Sequence, residues 1–108
     1  MKRLMENVKL PIKNIRLIEN NHEYINVMFI TNWYQEDIND LIELLFEPIM
    51  PLNIQESIIG ADRVNIRFDW YQHHFVVNFE FYSQSCWIEG QDERSKRYLL
   101  TLYEMLRR

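Results

Sequence analysis

Residues 63–81 read RVNIRFDWYQHHFVVNFEF. In the first half, Val64, Ile66, Phe68 and Trp70 alternate with Asn65, Arg67, Asp69 and Tyr71. A two-residue period of this kind marks a strand with one buried face. Beyond Gln72-His73 the period returns in Phe75, Val77, Phe79 and Phe81. The two halves therefore predict an antiparallel hairpin. With Gln72-His73 as the turn, Tyr71 faces His74 and Trp70 faces Phe75. The same register sets Phe68 against Val77, Ile66 against Phe79 and Val64 against Phe81. A four-residue loop keeps these pairs. All the large apolar side chains then share one face, and a one-residue slip would send one strand's set to the other. Gln-His is not among the favoured two-residue turns, which use Asn-Gly and similar pairs.

Working outward, residues 8–19 and 23–31 read as an earlier hairpin. Val8, Leu10 and Ile12 alternate, and Ile15 and Leu17 continue in a shifted phase, which predicts a bulge near Asn14. Asn20-Asn21 suits a turn because Asn tolerates left-handed backbone angles. Ile25, Val27 and Phe29 form one face of the second strand. Met28 and Ile30 make its other face apolar too, so the strand is expected to be covered on both sides. A helix follows, with Asn32 and Gln35 as a capping box and Ile38, Leu41, Ile42, Leu45 and Ile49 as its apolar stripe. Pro48 and Pro51 stop it near Phe46 or Glu47. Residues 53–59 read as an edge strand, and Gly60-Ala61 turns the chain into Val64. Trp87 and Ile88 suggest a short last strand, broken by Gly90. A C-terminal helix runs from about Asp92, with Leu99, Leu102, Tyr103 and Leu106 facing the core. Its acidic start and basic end both suit the helix dipole.

These elements assemble most economically as an α+β domain. A five- or six-stranded, mostly antiparallel sheet carries two helices on one face, in the order ββαβββα. Nothing in residues 1–108 reads as a linker or a repeat, so a single domain is expected. Hydrophobic residues make up 47% of the chain, enough to offset the cost of ordering it. No run approaches the ~20 apolar residues of a membrane helix. Met1-Lys2-Arg3 leads into no apolar stretch, so no secretory signal is expected. The single cysteine, Cys86, leaves no internal disulfide to form, which fits a reducing, cytoplasmic setting. With only Gly60 and Gly90, the chain has neither a P-loop nor a dinucleotide-binding glycine loop. No cofactor is expected.

Charge is unevenly placed. Residues 17–62 hold nine acids and no Lys or Arg, while Lys2, Arg3, Lys9, Lys13 and Arg16 precede them and Arg94, Lys96, Arg97, Arg107 and Arg108 follow. Glu36, Asp40, Glu43 and Glu47 share one face of the first helix, with no cation on that helix. Like charges at such spacing cost a few tenths of a kcal/mol per pair. They read as a solvated outer face or as the docking surface for a protein partner with a basic patch. Arg67, His74 and Cys86 are the candidates for a ligand pocket between sheet and helices. Arg67 is expected opposite Asn78 and diagonal to Glu80, where a cross-strand ion pair would explain it. His73 and His74 would point to opposite faces of a strand. Only His22 and Cys86 remain to complete a metal set, so no metal site is expected.

Trp33, Tyr34, Tyr71 and Tyr82 beside Arg63 and Arg67 form a candidate stacking patch for single-stranded RNA. The net charge of −4 and the pI near 5.3 argue against nucleic acid as a partner. Ile54, Ile58 and Ile59, guarded by Glu56 alone, make residues 53–59 an edge open to homodimer formation, with the aromatic face as the alternative surface for it.

The chain length, the acidic pI, the ββαβββα order and the aromatic strand pair together resemble small gammaproteobacterial proteins of unknown function. Small acidic α+β immunity proteins that neutralise bacterial toxins are similar in size and charge. Neither resemblance carries catalytic residues across. The function expected is that of a non-enzymatic interaction domain. A ligand-binding protein or enzyme and an RNA-binding domain are the alternatives.

Overall fold

The structure is a computed structural model that describes residues 15–108. Strands β1 (Ile15–Asn20) and β2 (Ile25–Phe29) come first. A 3-10 turn over Gln35–Asp37 leads into helix α1 (Ile38–Phe46), and a second over Glu47–Ile49 leads out of it. Four strands follow: β3 (Asn53–Ile59), β4 (Arg63–Trp70), β5 (His73–Glu80) and β6 (Ser85–Gly90). Two short helices, α2 (Glu93–Arg97) and α3 (Leu99–Leu106), close the chain. The strands form one antiparallel sheet in the order β1-β2-β6-β5-β4-β3. This is the expected α+β architecture. It has four strands between the helices, and its C-terminal helix is interrupted at Tyr98. The expected strand over residues 8–14 and the bulge near Asn14 lie outside the described residues. A bulge does occur between Ile15 and Leu17.

The central hairpin keeps its faces but not its predicted register. Tyr71 and Gln72, at φ of 50° and 65°, make the turn in place of Gln72-His73. Trp70 therefore pairs with His73, Phe68 with Phe75, Ile66 with Val77 and Val64 with Phe79. The shift is an even number of positions, so every side chain stays on its face. A two-residue hairpin turn needs left-handed angles to match strand twist, and Tyr and Gln adopt them here at a cost of about 1 kcal/mol each. Chain pairing on both sides overrides that local preference.

Among the described residues, helices cover one face only. On it lie Ile25, Val27, Val64, Ile66, Phe68, Phe75, Val77, Phe79, Cys86 and Ile88, all buried. Phe46 of α1 meets Phe68 edge-on at 4.9 Å, and Phe68 stacks on Phe75 at 5.6 Å. Trp33, in the segment before α1, is 1% exposed and packs edge-on against Phe29, Phe79 and Phe81. Gln84 holds it there: its Oε1 accepts from the Trp33 amide at 2.8 Å, and its Nε2 donates to the Trp33 carbonyl at 2.9 Å. Leu99, Leu102 and Leu106 of α3 complete the layer next to β1 and the Glu47–Ile49 turn. Trp70 is only half-buried, between Tyr71 and Tyr98.

Among the described residues, no element covers the other face. Met28 and Ile30 are exposed, so β2 is covered on one side and not on two. The helix start also differs from expectation. Asp37, and not Gln35, supplies the cap, its Oδ2 accepting from the Tyr34 amide at 2.9 Å. At the other end of α1, Arg108 donates to the Leu44 carbonyl at 2.8 Å and so satisfies a backbone group the helix leaves unpaired.

Three variants test this packing in urea melts. Phe79→Ala should cost roughly 3–5 kcal/mol, the usual loss for a fully buried phenylalanine. Glu43→Gln on the exposed side of α1 should change stability by less than about 0.5 kcal/mol. Gln72→Gly relieves a left-handed side chain and should stabilise by about 1 kcal/mol. A Phe79→Ala variant that melts like the parent would overturn the assignment of the buried face.

Candidate functional site

Two surfaces of this fold carry chemistry, one on each side of the sheet. The first is the outward side of α1. Burying Ile38, Leu41, Ile42 and Leu45 turns Glu36, Asp40, Glu43 and Glu47 outward, and all four are exposed. Glu36 sits in the turn before the helix and Glu47 in the turn after it. Helix α1 itself contains no Lys or Arg. Among the described residues, no ion pair reaches Glu36, Glu43 or Glu47.

The second surface is the open face of the sheet. Arg67 and His74 both lie on it, while Cys86 lies in the core on the opposite face. The structure therefore brings Arg67 and His74 to one face without Cys86. Arg67 pairs across β3 with Glu56 at 2.6 Å and donates to Gln91 Oε1 at 3.3 Å. A cross-strand ion pair does hold it, but through β3 and not through Glu80. Its partner on β5 is Val76, a result of the shifted turn. His74 Nδ1 lies 2.7 Å from Asp69 Oδ1, on the neighbouring strand. Burial pushes the Cys86 thiol well above the ordinary thiol range, so the reactive thiolate is suppressed. Among the described residues, no three His, Cys, Asp or Glu side chains converge as metal ligands.

The end of this face is built by the junction of β6 and α2. Gly90 is required there by contact: a Cβ would stand 2.6 Å from the Lys96 nitrogen. Asp92 caps α2, its carboxylate accepting from the Ser95 amide at 2.7 Å. That bond, helped by the Ser95 hydroxyl, holds the Asp92 carboxyl below the usual carboxylate range. Ser95 in turn accepts from the His74 amide at 2.8 Å, which ties α2 to β5. His73, on the helix side, stacks its ring on Tyr98 at 4.0 Å.

Between this junction and the β1–β2 turn lies an opening of about 610 Å³, lined by His22, Glu23, Tyr24, Glu89, Gln91 and Lys96 over a floor of Val76 and Gly90. A second hollow of about 270 Å³ continues it along β2 and β6. Tyr24, Asn26, Ser85, Trp87 and Glu89 line the second hollow, and Tyr24 and Glu89 belong to both. Trp87 donates its indole N–H to Glu89 Oε2 at 3.1 Å. Apart from His22, weighed as a metal ligand, none of these groove residues figures among the sequence candidates. The groove exists only because β2 pairs with β6, a contact between residues 59 to 63 positions apart. The one local signal is Trp87 and Glu89 alternating with buried Cys86 and Ile88.

The aromatic patch proposed for nucleic acid is dispersed. Trp33 is in the core, whereas Tyr34, Tyr71 and Tyr82 are exposed. Tyr71 and Tyr82 stand at opposite ends of β5.

A family model described as Protein of unknown function (DUF3630) matches residues 15–106. The chain belongs to this family. The match runs from the first residue of β1 to the last of α3, so the DUF3630 unit and the described fold coincide. No curated protein and no solved structure matches the chain.

The Asp92 cap makes a pH-dependent contribution whose sign is set by its lowered pKa. That contribution is fully present above the ordinary Asp range and is lost as pH falls through the lowered value. Asp92→Asn retains a capping oxygen but removes the titration. Its stability, measured by urea melts between neutral and acid pH, should fall less steeply than that of the parent. Parallel acid limbs would remove Asp92 from the account.

Proposed function

We propose that the protein is a non-enzymatic interaction domain that docks a partner with a basic patch against the acidic side of α1. The observation that carries this is the run of Glu36, Asp40, Glu43 and Glu47, exposed together on α1 and its two flanking turns, whose own residues include no Lys or Arg. Such a surface raises the encounter rate of a basic partner and gives an interaction that salt weakens. The enzyme reading finds less support, since Arg67 and His74 lie across the sheet from Cys86. The RNA reading finds less as well, since Trp33 is in the core and Tyr71 and Tyr82 are far apart.

A second reading, self-association, is favoured by β3. It is the last strand of the sheet, and every residue from Asn53 to Ile59 is exposed, with Ile58 at 49% and Ile59 at 63%. An edge of this kind is a template for a second strand.

Retention of a basic partner on the immobilised domain should fall from low to high salt. Reversal of all four charges (Glu36→Lys, Asp40→Lys, Glu43→Lys, Glu47→Lys) should abolish it. Retention that ignores both changes would sink the docking proposal. In sedimentation at high micromolar concentration the parent should dimerise and Ile58→Lys should not. A monomeric parent would dispose of the edge-pairing reading.

A further inference from the structure

Two half-buried rings, Tyr24 and Trp87, border the groove along β2 and β6. Among the described residues, the rings of Phe29, Trp33, Phe46, Phe68, Trp70, Phe75, Phe79 and Tyr98 all pack on other rings. Those of Tyr24 and Trp87 pack on none. Both are half-buried and border the same hollow. Trp87 spends its only donor on Glu89. The bond fixes the carboxylate beside the indole and leaves the ring faces for another group.

The one charged side chain that lines the hollow, Glu89, is an acid. None of its five lining residues is a cation, β2 contains no Lys or Arg, and Arg16 of β1 does not border the hollow. Glu19 stands on the same open face, paired in register with Asn26. Glu23 lines the wider opening next to it. Lys96 is on the far wall of that opening, within 3.4 Å of Glu93, and does not border the hollow. Two aromatic rings and a carboxylate that line one hollow attract a cation by the ring quadrupole and by charge together. Asn26 and Ser85 add acceptors for its N–H groups.

We infer that this hollow is a binding site for the cationic side chain, arginine or lysine, of a peptide segment lying along β2 and β6. The peptide is preferred to a free amine because the hollow opens into the larger trough through Tyr24 and Glu89. That trough leaves room for backbone beyond the cation. The site is on the face of the sheet opposite α1 and does not depend on the acidic helix surface.

The test is a nuclear magnetic resonance titration with an acetylated, amidated Gly-Gly-Arg-Gly-Gly peptide, with norleucine in place of arginine as the control. The Trp87 indole N–H and the Asn26 amide should shift saturably with the arginine peptide and not with the control. Glu89→Gln should weaken binding about tenfold, Trp87→Leu should abolish it, and Trp87→Phe should keep most of it. The variant with the four α1 charges reversed should bind as the parent does, which separates this site from the docking proposal. Equal shifts with the control, or affinity unchanged by Glu89→Gln and Trp87→Leu, would overturn the site. Blocked arginine alone binding as tightly as the pentapeptide would overturn the peptide assignment.

Discussion

The pleat of β4 and β5, buried on one side only, is the constraint on which the rest of the molecule depends. Val64, Ile66 and Phe68 meet Val77, Phe75 and Phe79 on a single face, and that face must be roofed. Phe46 from α1 covers Phe68, Trp33 covers Phe79, and the leucines of α3 fill the space beside them. Because the pleat alternates, roofing one side determines what the other side shows. Arg67, Asp69, His74 and Glu89 stand on the open face for the same reason that the phenylalanines stand under the helices.

Local periodicity accounts for most of what the chain revealed before its structure. The faces of β4 and β5, the apolar stripe of α1, its stop before Pro48 and the edge position of β3 all follow from residues close together in sequence. The hairpin register did not follow, because a two-position shift leaves the hydrophobic pattern unchanged. Only the backbone angles of Tyr71 and Gln72 distinguish the two alignments. Trp33 also escaped, since its burial depends on Gln84, more than fifty positions away. The acidic stripe was visible at once as helical spacing. The groove was not, because its two walls come from β2 and β6.

The junction of β6 with α2 links core to surface. Gly90 lets the α2 backbone approach to a distance no side chain permits, and this brings Ser95 to the His74 amide. The same approach sets Gln91 beside Arg67 and Lys96 at the rim of the wide opening. A methyl group at residue 90 would therefore disturb the rim of the open face and the seat of the last two helices together.

The sheet is stitched from two unequal pieces. From β3 to β6, each strand pairs with its successor through a short turn. The β1–β2 hairpin is joined to that meander by residues 30–52 and meets it only where Ile25–Val27 lies along Cys86–Ile88. Pairings between sequence neighbours close small loops and form early, whereas this seam must close a long one. Until it closes, β6 is a bare edge with Cys86 and Ile88 uncovered. The seam between β2 and β6 is thus the longest closure in the sheet, and the groove that spans it is complete only once that closure is made.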